Sequence, residues 1–391
     1  MRYCDCYDLA PGMILAKTLY SETNELLLAK GYVLNEGLIE RIQRLGISPV
    51  CITEDGTEDI VIEDLVEDAI MQAANGSLKK VFDEVIKTTK HCAGENVDVI
   101  LKDLKSSGFS LPLGEVKKTV NLLVDELLDN IATEWDVLPL KFITGNYFRH
   151  GIEVATLSIL IGMHYQFPFK ELKHLGLGAA LHDLGITLMP ELIDKKNCEF
   201  SPDDLIQYRN HPQYGISLLD TQSEALYMER ECIYQHHEQP NGKGFPRGLI
   251  GAQQPPNVRS NPTPGLIFRH AEIIRVADAY LNLTTGGWLA EALSPEEAIV
   301  ELLRGLPGMY NPHVVAALSQ VVVLFPKGVQ VRIMRNSSQR YIGYYGVVAV
   351  PNKKEPHKPV LVLTANRFAE KIKPFRVDFG GEKFMEIKLD L

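Results

Sequence analysis

Apolar positions follow a helical period through most of this chain and a strand period only near its two ends. Leu9-Ala10-Pro11-Gly12-Met13-Ile14-Leu15-Ala16 and Glu25-Leu26-Leu27-Leu28-Ala29 alternate around turn residues, which predicts short strands. Asn35-Glu36-Gly37-Leu38-Ile39-Glu40-Arg41-Ile42 then starts a helix ending near Gly46, and a strand follows at Pro49-Val50-Cys51-Ile52. Residues 1–54 therefore read as a small α+β module with a packing or interaction role. From 55 to 134 the pattern is helical and acidic. Glu63–Met71 and Leu78–Ile86 carry apolar residues at helical spacing, and Val116 and Val120 open a face that continues through Leu128. The charges there make solvated faces. The apolar stripe is also of a kind that can pair with a second copy of the chain, so this region reads as a linker and dimerisation segment of a homodimer.

Residues 135–325 form the next segment. Val154–Met163 is apolar nearly all round, which predicts a buried helix with His150 at its start. Ser201-Pro202-Asp203-Asp204 has the cap, proline and acidic first turn of a helix that leads to His211. The polar, proline-rich stretch from Arg247 to Gly265 predicts a long loop, either a lid or a disordered insertion. After Pro326 the strand period returns at Gly328–Met334, Tyr341–Val350 and Pro359–Leu363, split by turns such as Pro351-Asn352-Lys353-Lys354. Residues 326–391 thus read as a small β domain. The expected fold is mainly α, a helical bundle with a small α+β module before it and a small β domain after it.

Composition sharpens this only in part. A chain of 391 residues, 45% apolar, is long enough for two or three domains with a real core. Its net charge of −10 argues against a binder of nucleic-acid polymers or acidic membranes, so an anionic substrate would need local positive charge, for which a metal cluster is the obvious source. The six cysteines include no CxxC pair, which fits reduced thiols in a cytoplasmic protein. No basic segment leads into an apolar leader and no run approaches membrane-spanning length, which implies no membrane partner.

The candidate chemistry lies in histidines and aspartates embedded in apolar runs. His236-His237 ends the run Glu231-Cys232-Ile233-Tyr234 and precedes the turn Asn241-Gly242-Lys243-Gly244-Phe245-Pro246. Adjacent side chains on a helix point about 100° apart, so the two imidazoles suit two neighbouring metals or one metal and one substrate group. His182-Asp183 sits within Gly178-Ala179-Ala180-Leu181-His182-Asp183-Leu184-Gly185, where a buried carboxylate is costly unless paired or metal-bound. His150, His211 and Asp278 add ligand-type residues in similar settings.

In that order, His150, His182-Asp183, His211, His236-His237, Gly244-Phe245-Pro246 and Asp278 resemble the HD-GYP phosphodiesterases. That family is a branch of the helical HD superfamily that hydrolyses cyclic dinucleotides, chiefly cyclic di-GMP, at a di- or trinuclear metal centre. The resemblance spans roughly residues 135 to 325. It implies a metal-dependent phosphodiesterase of bacterial second-messenger signalling with a cyclic dinucleotide substrate. His150, His182, Asp183 and Asp278 would surround one metal, and His211, His236 and His237 the other, with Asp183 bridging as the catalytic residue. Five imidazoles and two carboxylates suit iron or manganese better than a closed zinc site. The glutamate that holds a third metal in some relatives is Asn146 here, so two divalent transition metals are expected.

Three departures bear on the substrate. The family's lysine after the doublet is Ile186, the turn has Asn241 and Phe245 for aspartate and tyrosine, and the segment after Asp278 lacks the family's arginine and lysine, with Gly287 at the arginine position. Lys243, Arg269 and Arg275 are left as the candidate substrate-binding cations. Two readings follow: an active phosphodiesterase with altered preference, or a metal-bound, catalytically weak module acting as a receptor or through a signalling protein partner.

Overall fold

The strand-patterned ends of the chain and its helical middle group separately in the computed structural model. It describes the chain except residues 22–25, 91–95, 131–146, 194, 196–198, 223–225, 259–262, 287–290, 307 and 391. One unit comprises Met1–Leu65 and Val322–Leu391; the other is built from the described residues of Val66–Ala132 and Gly145–Val321.

In the first unit the early strands are β1 (Arg2–Cys4), β2 (Ile14–Leu15), β3 (Leu19–Tyr20), β4 (Leu26–Leu28) and β5 (Val50–Thr53), with helix α1 (Glu36–Arg44) before β5. β5 lies between β1 and β2, antiparallel to both, and β3 pairs with β4. Asn35 caps α1, its side chain accepting from the Leu38 amide at 2.9 Å. The later strands β6 (Gln330–Asn336), β7 (Tyr345–Val350), β8 (Val360–Ala365), β9 (Lys371–Asp378) and β10 (Met385–Leu389) form one antiparallel sheet in the order β10-β6-β7-β8-β9. β9 escapes the strand pattern because it is an edge strand, carrying Lys371, Lys373 and Pro374 as edges commonly do. Tyr3, Cys51, Ile60 and Ile62 share one apolar cluster with Val329, Val331, Val348 and Phe379. Residues from 1–54 and from 326–391 therefore contribute to a common core, as expected for two segments each too short to bury much surface alone.

The second unit is helical: α2 (Asp68–Thr89), α3 (Val97–Ser106), α4 (Leu113–Asp129), α5 (Tyr147–His164), α6 (Phe169–Ala180), α7 (Pro190–Ile193), α8 (Pro202–Tyr208), α9 (His211–Leu219), α10 (Tyr227–Gln235), α11 (Arg269–Thr285), α12 (Pro295–Arg304) and α13 (Pro312–Val321). α5 is buried continuously from Gly151 to Gly162, as its all-round apolar sequence requires. α2 packs on α4, each burying apolar side chains (Ala74, Leu78 and Val81; Val120 and Leu123), with Ser77 and Thr119 hydroxyls bonded at 2.8 Å. Ser201 and Asp204 close a reciprocal cap on α8. The stretch from Arg247 to Gly265 is anchored over its described length. The Gly251 amide donates to the Pro240 carbonyl (3.1 Å), Asn257 to the Tyr165 carbonyl (3.3 Å), and Asn311 to the Gln254 carbonyl (3.0 Å). An unstructured insertion does not describe those residues. Among the described residues no helix is long and apolar enough to cross a membrane. The fold class is mainly α, with strands confined to the two ends of the chain.

Candidate metal centre

Five elements carry the seven ligand-type residues. His150 lies in the first turn of α5, and His182 and Asp183 follow α6 at the start of the tight turn Leu184–Leu188. His211 opens α9, His236 and His237 end α10, and Asp278 sits midway along α11. The turn at 184–188 meets α9 because two glycines face each other. A Cβ on Gly185 would collide with the His211 carbonyl and the Gly215 amide, and one on Gly215 would press on Ile233. That approach brings the Asp183 carboxylate to the His211 ring.

The seven side chains fall into two adjoining groups. Asp183, His211, His236 and His237 offer ligand atoms within 4.8 Å of one another, and so do His150, His182 and Asp278. Asp183 spans both: one oxygen is 3.2 Å from His211 Nε2 and 3.8 Å from His236 Nε2, the other 3.3 Å from His182 Nε2. Asp278 accepts from Asn282 at 2.6 Å and lies 2.8 Å from His150 Nε2.

The hydrogen bonds fix which nitrogens face inward. The Nδ1–H groups of His182, His211 and His236 donate to the carbonyls three residues earlier, Ala179, Tyr208 and Ile233, at 2.7, 2.6 and 2.7 Å. A neutral imidazole whose Nδ1 carries the proton presents a bare lone pair at Nε2, the orientation that a backbone partner imposes on metal-binding histidines. The Nε2 atoms of His211 and His236 are nevertheless only 3.0 Å apart. Two acceptor lone pairs at that distance repel unless a cation or a proton lies between them. Asp183 Oδ1 is buried without any hydrogen-bond partner, an arrangement that native interiors avoid and that a bound cation would satisfy. This donor set can hold metal.

Charge within the cluster divides sharply. Burial pushes the pKa of His211 down, that of His236 to about 3 and that of His237 well below the usual imidazole range, so all three are neutral at neutral pH. Burial works the same way on His182, but the carboxylates of Asp183 and Asp278 outweigh it and hold its pKa up at about 9. Burial opposes ionisation of Asp183 and Asp278 too, yet His182 beside Asp183, and His150 with His182 beside Asp278, keep both carboxyls below their ordinary values. Metal loading near neutral pH must therefore expel the His182 proton. Calorimetric titration with Mn²⁺ should show a binding heat that changes with the buffer's protonation enthalpy, and affinity should fall as the pH is lowered. A heat independent of buffer would contradict a protonated His182.

The candidate cations are placed less uniformly. Arg275 stands one helical turn before Asp278 and contributes positive potential at His237, Tyr208 and Asp278, while its Nε donates to the Met309 carbonyl at 3.0 Å. Lys243 is exposed on the glycine turn. Arg269 is committed elsewhere: it pairs with Glu171, which also bonds His270 at 2.7 Å, and its guanidinium lies over Phe167. The sequence leaves it as a candidate substrate cation, but in the fold that carboxylate engages it. Ile186 is fully buried in an apolar cluster with Met189, Leu192 and Tyr208, packed against Tyr147 and Phe245. A lysine there would face hydrocarbon, so position 186 is no ready-made cation site. Asn146 and Gly287 lie outside the described residues.

Side chains other than the seven ligand-type residues also border the cluster. The Tyr208 hydroxyl lies 3.3 Å from His237 Nε2, and the Phe245 ring stacks on His237 at 4.6 Å between centroids. Glu238 is buried and accepts the amides of Arg247 and Leu249 at 2.7 and 2.8 Å, tying down the glycine turn. Gly244 is required there, because a Cβ would overlap the backbone of Glu238 and Gln239. The only sequence signal for Tyr208 was its spacing, one helical turn before His211.

Residues 149–312 match the HD domain family. The chain is similar to the cyclic di-GMP phosphodiesterase PA4108 of Pseudomonas aeruginosa, 26% identical over 216 residues, which cover 54% of this chain and 49% of that protein. It is also similar to a cyclic di-GMP phosphodiesterase of Thermotoga maritima, 27% identical over 220 residues, which cover 56% and 55% of the two chains. The chain thus spans about half the length of these relatives. Among solved structures, the HDG"Y"P protein Bd1817 from Bdellovibrio bacteriovorus aligns over 81% of this chain and 97% of its own, with a TM-score of 0.44 and 20% identity. Residues 149–312 thus match the HD domain family, and the chain is similar over about half its length to cyclic di-GMP phosphodiesterases.

Proposed function

We propose that His150, His182, Asp183, His211, His236, His237 and Asp278 hold two divalent transition-metal ions, iron or manganese, and that the protein uses them to hydrolyse a cyclic dinucleotide, cyclic di-GMP or a close analogue. The observation that carries this reading is the pair of inward-facing lone pairs on His211 and His236, 3.0 Å apart. Two lone pairs that converge so closely would be satisfied by one cation held between them, and a set of five imidazoles and two carboxylates suits iron or manganese better than a closed structural zinc site.

When bound, such a metal pair supplies the positive charge that lowers the pKa of water and neutralises the phosphate under attack. The chain's own part is to hold that charge in place. Asp183 fixes the spacing of the two groups, since its oxygens reach histidines of both. Asp278, held by Asn282, orients His150. Phe245 stacked on His237 closes one side against bulk water. Arg275 adds a fixed positive potential beside Asp278. In this reading the chain works in cytoplasmic second-messenger signalling, with residues 135–325 as the hydrolase domain and the amphipathic helices of 55–134 as a homodimer surface.

A second reading, a metal-bound receptor with little turnover that acts through a signalling partner, draws support from the apolar setting of Ile186 and the commitment of Arg269 to Glu171. Anaerobically purified protein loaded with iron or manganese separates the two. Incubation with cyclic di-GMP and mixed cyclic dinucleotides should give linear dinucleotide or mononucleotide, detected by chromatography. Metal-loaded protein that binds these compounds and leaves them intact would favour the receptor.

A further inference from the structure

We infer that Arg209 is the cation that grips the second, non-scissile phosphate of the substrate and so selects cyclic dinucleotides over diesters with one phosphate. This deepens the reading of the centre as a phosphodiesterase and rests on it. Arg209 follows α8 directly and is exposed two residues before His211. Its guanidinium lies over the Phe245 ring, 5.7 Å from the centroid, and Phe245 is in turn stacked on His237 at 4.6 Å and 25°. The three groups form a continuous column from the metal pocket to the surface, with the cation at its outer end.

The other cations near the centre are engaged or loosely held. Arg269 is taken by Glu171, Arg275 donates to the Met309 carbonyl and lies over Tyr310, and Lys195 pairs with Asp204. Among the described residues no carboxylate lies within ion-pair distance of Arg209. A guanidinium beside an aromatic ring and without a carboxylate partner keeps N–H donors available, in the fork arrangement that matches phosphate oxygens. A cyclic dinucleotide carries two phosphates in one ring, so fixing one at the metal cluster leaves the other close by and anionic. In a chain of net charge −10 that second anion needs a local partner, and Arg209 stands one aromatic ring away from His237.

The test compares cyclic di-GMP with bis(p-nitrophenyl) phosphate, a diester with a single phosphate, using the full metal-loaded chain. Arg209→Gln should lower the ratio of kcat/KM for cyclic di-GMP to that for the simple diester roughly ten- to a hundredfold, the loss expected for one charged hydrogen-bonded contact. The change should lie in KM for cyclic di-GMP, and Arg209→Lys should restore part of it, because an ammonium keeps the charge and not the fork. An unchanged ratio, whether both activities fall together or neither moves, would overturn the assignment. If the wild type cleaves neither diester, the phosphodiesterase reading fails, and equilibrium binding of cyclic di-GMP then decides on Arg209. Weaker binding by Arg209→Gln would uphold its role, and unweakened or absent binding would overturn it.

Discussion

Asp183→Ala is expected to lose most of the bound metal from both halves of the cluster and to lower turnover by about 10²–10³-fold or more, the loss typical of removing one preorganised transition-state contact. Among the described residues Asp183 alone has oxygens near histidines of both groups, at 3.2 Å from His211 and 3.3 Å from His182. The variant should still fold. Without the Asp183 carboxylate, burial at His182 is opposed only by Asp278 and the Ala179 carbonyl, so its pKa falls and the ring can shed its proton instead of remaining an uncompensated buried cation. Elemental analysis of wild type and variant, with circular dichroism to check folding, reads both effects. Full metal content in the variant would show that Asp183 does not bridge.

Ile186→Lys is the other substitution with a large expected effect, and its direction reverses what the family pattern suggests. From the sequence, a lysine one turn beyond His182 would sit near the attacked phosphate. In the folded chain position 186 is fully buried among Met189, Leu192 and Tyr208. A lysine there must bury its ammonium in hydrocarbon or lose its proton. The expected cost is about 3–5 kcal/mol, the range for a buried charge left without a partner. Urea unfolding should show a clearly lower midpoint, with catalysis no better in the fraction that stays folded. An unchanged midpoint together with a higher kcat/KM would mean that the ammonium reaches the metal pocket after all.

Those two positions mark how far the sequence could be read. Asp183 was legible because a carboxylate next to a histidine in an apolar run is costly without a partner. The histidines at 150, 182, 211, 236 and 237 stood out as ligand-type residues in apolar runs, and the family resemblance put them in one set. Helix α5 was legible because nothing polar interrupts Val154–Met163, and α8 because Ser201 and Asp204 sit at capping spacing. What the pattern could not carry was partnership between distant residues. Arg269 finds Glu171 98 positions earlier, and Phe245 meets His237 only because the glycine turn folds back. Ile186 looked like a missing cation because spacing along a helix says which turn a residue occupies and not what its neighbours are. Strand β10 pairs with β6, the first strand of its sheet, a closure set by tertiary packing that no local periodicity records.

Anomalous diffraction from iron- or manganese-loaded crystals, collected at the edge of the metal used, tests the proposed centre most directly. Two peaks are predicted, one within ligand distance of Asp183, His211, His236 and His237, the other within ligand distance of His150, His182 and Asp278. Folded, reconstituted protein with no peak at either place, or with metal bound only elsewhere, would contradict the assignment.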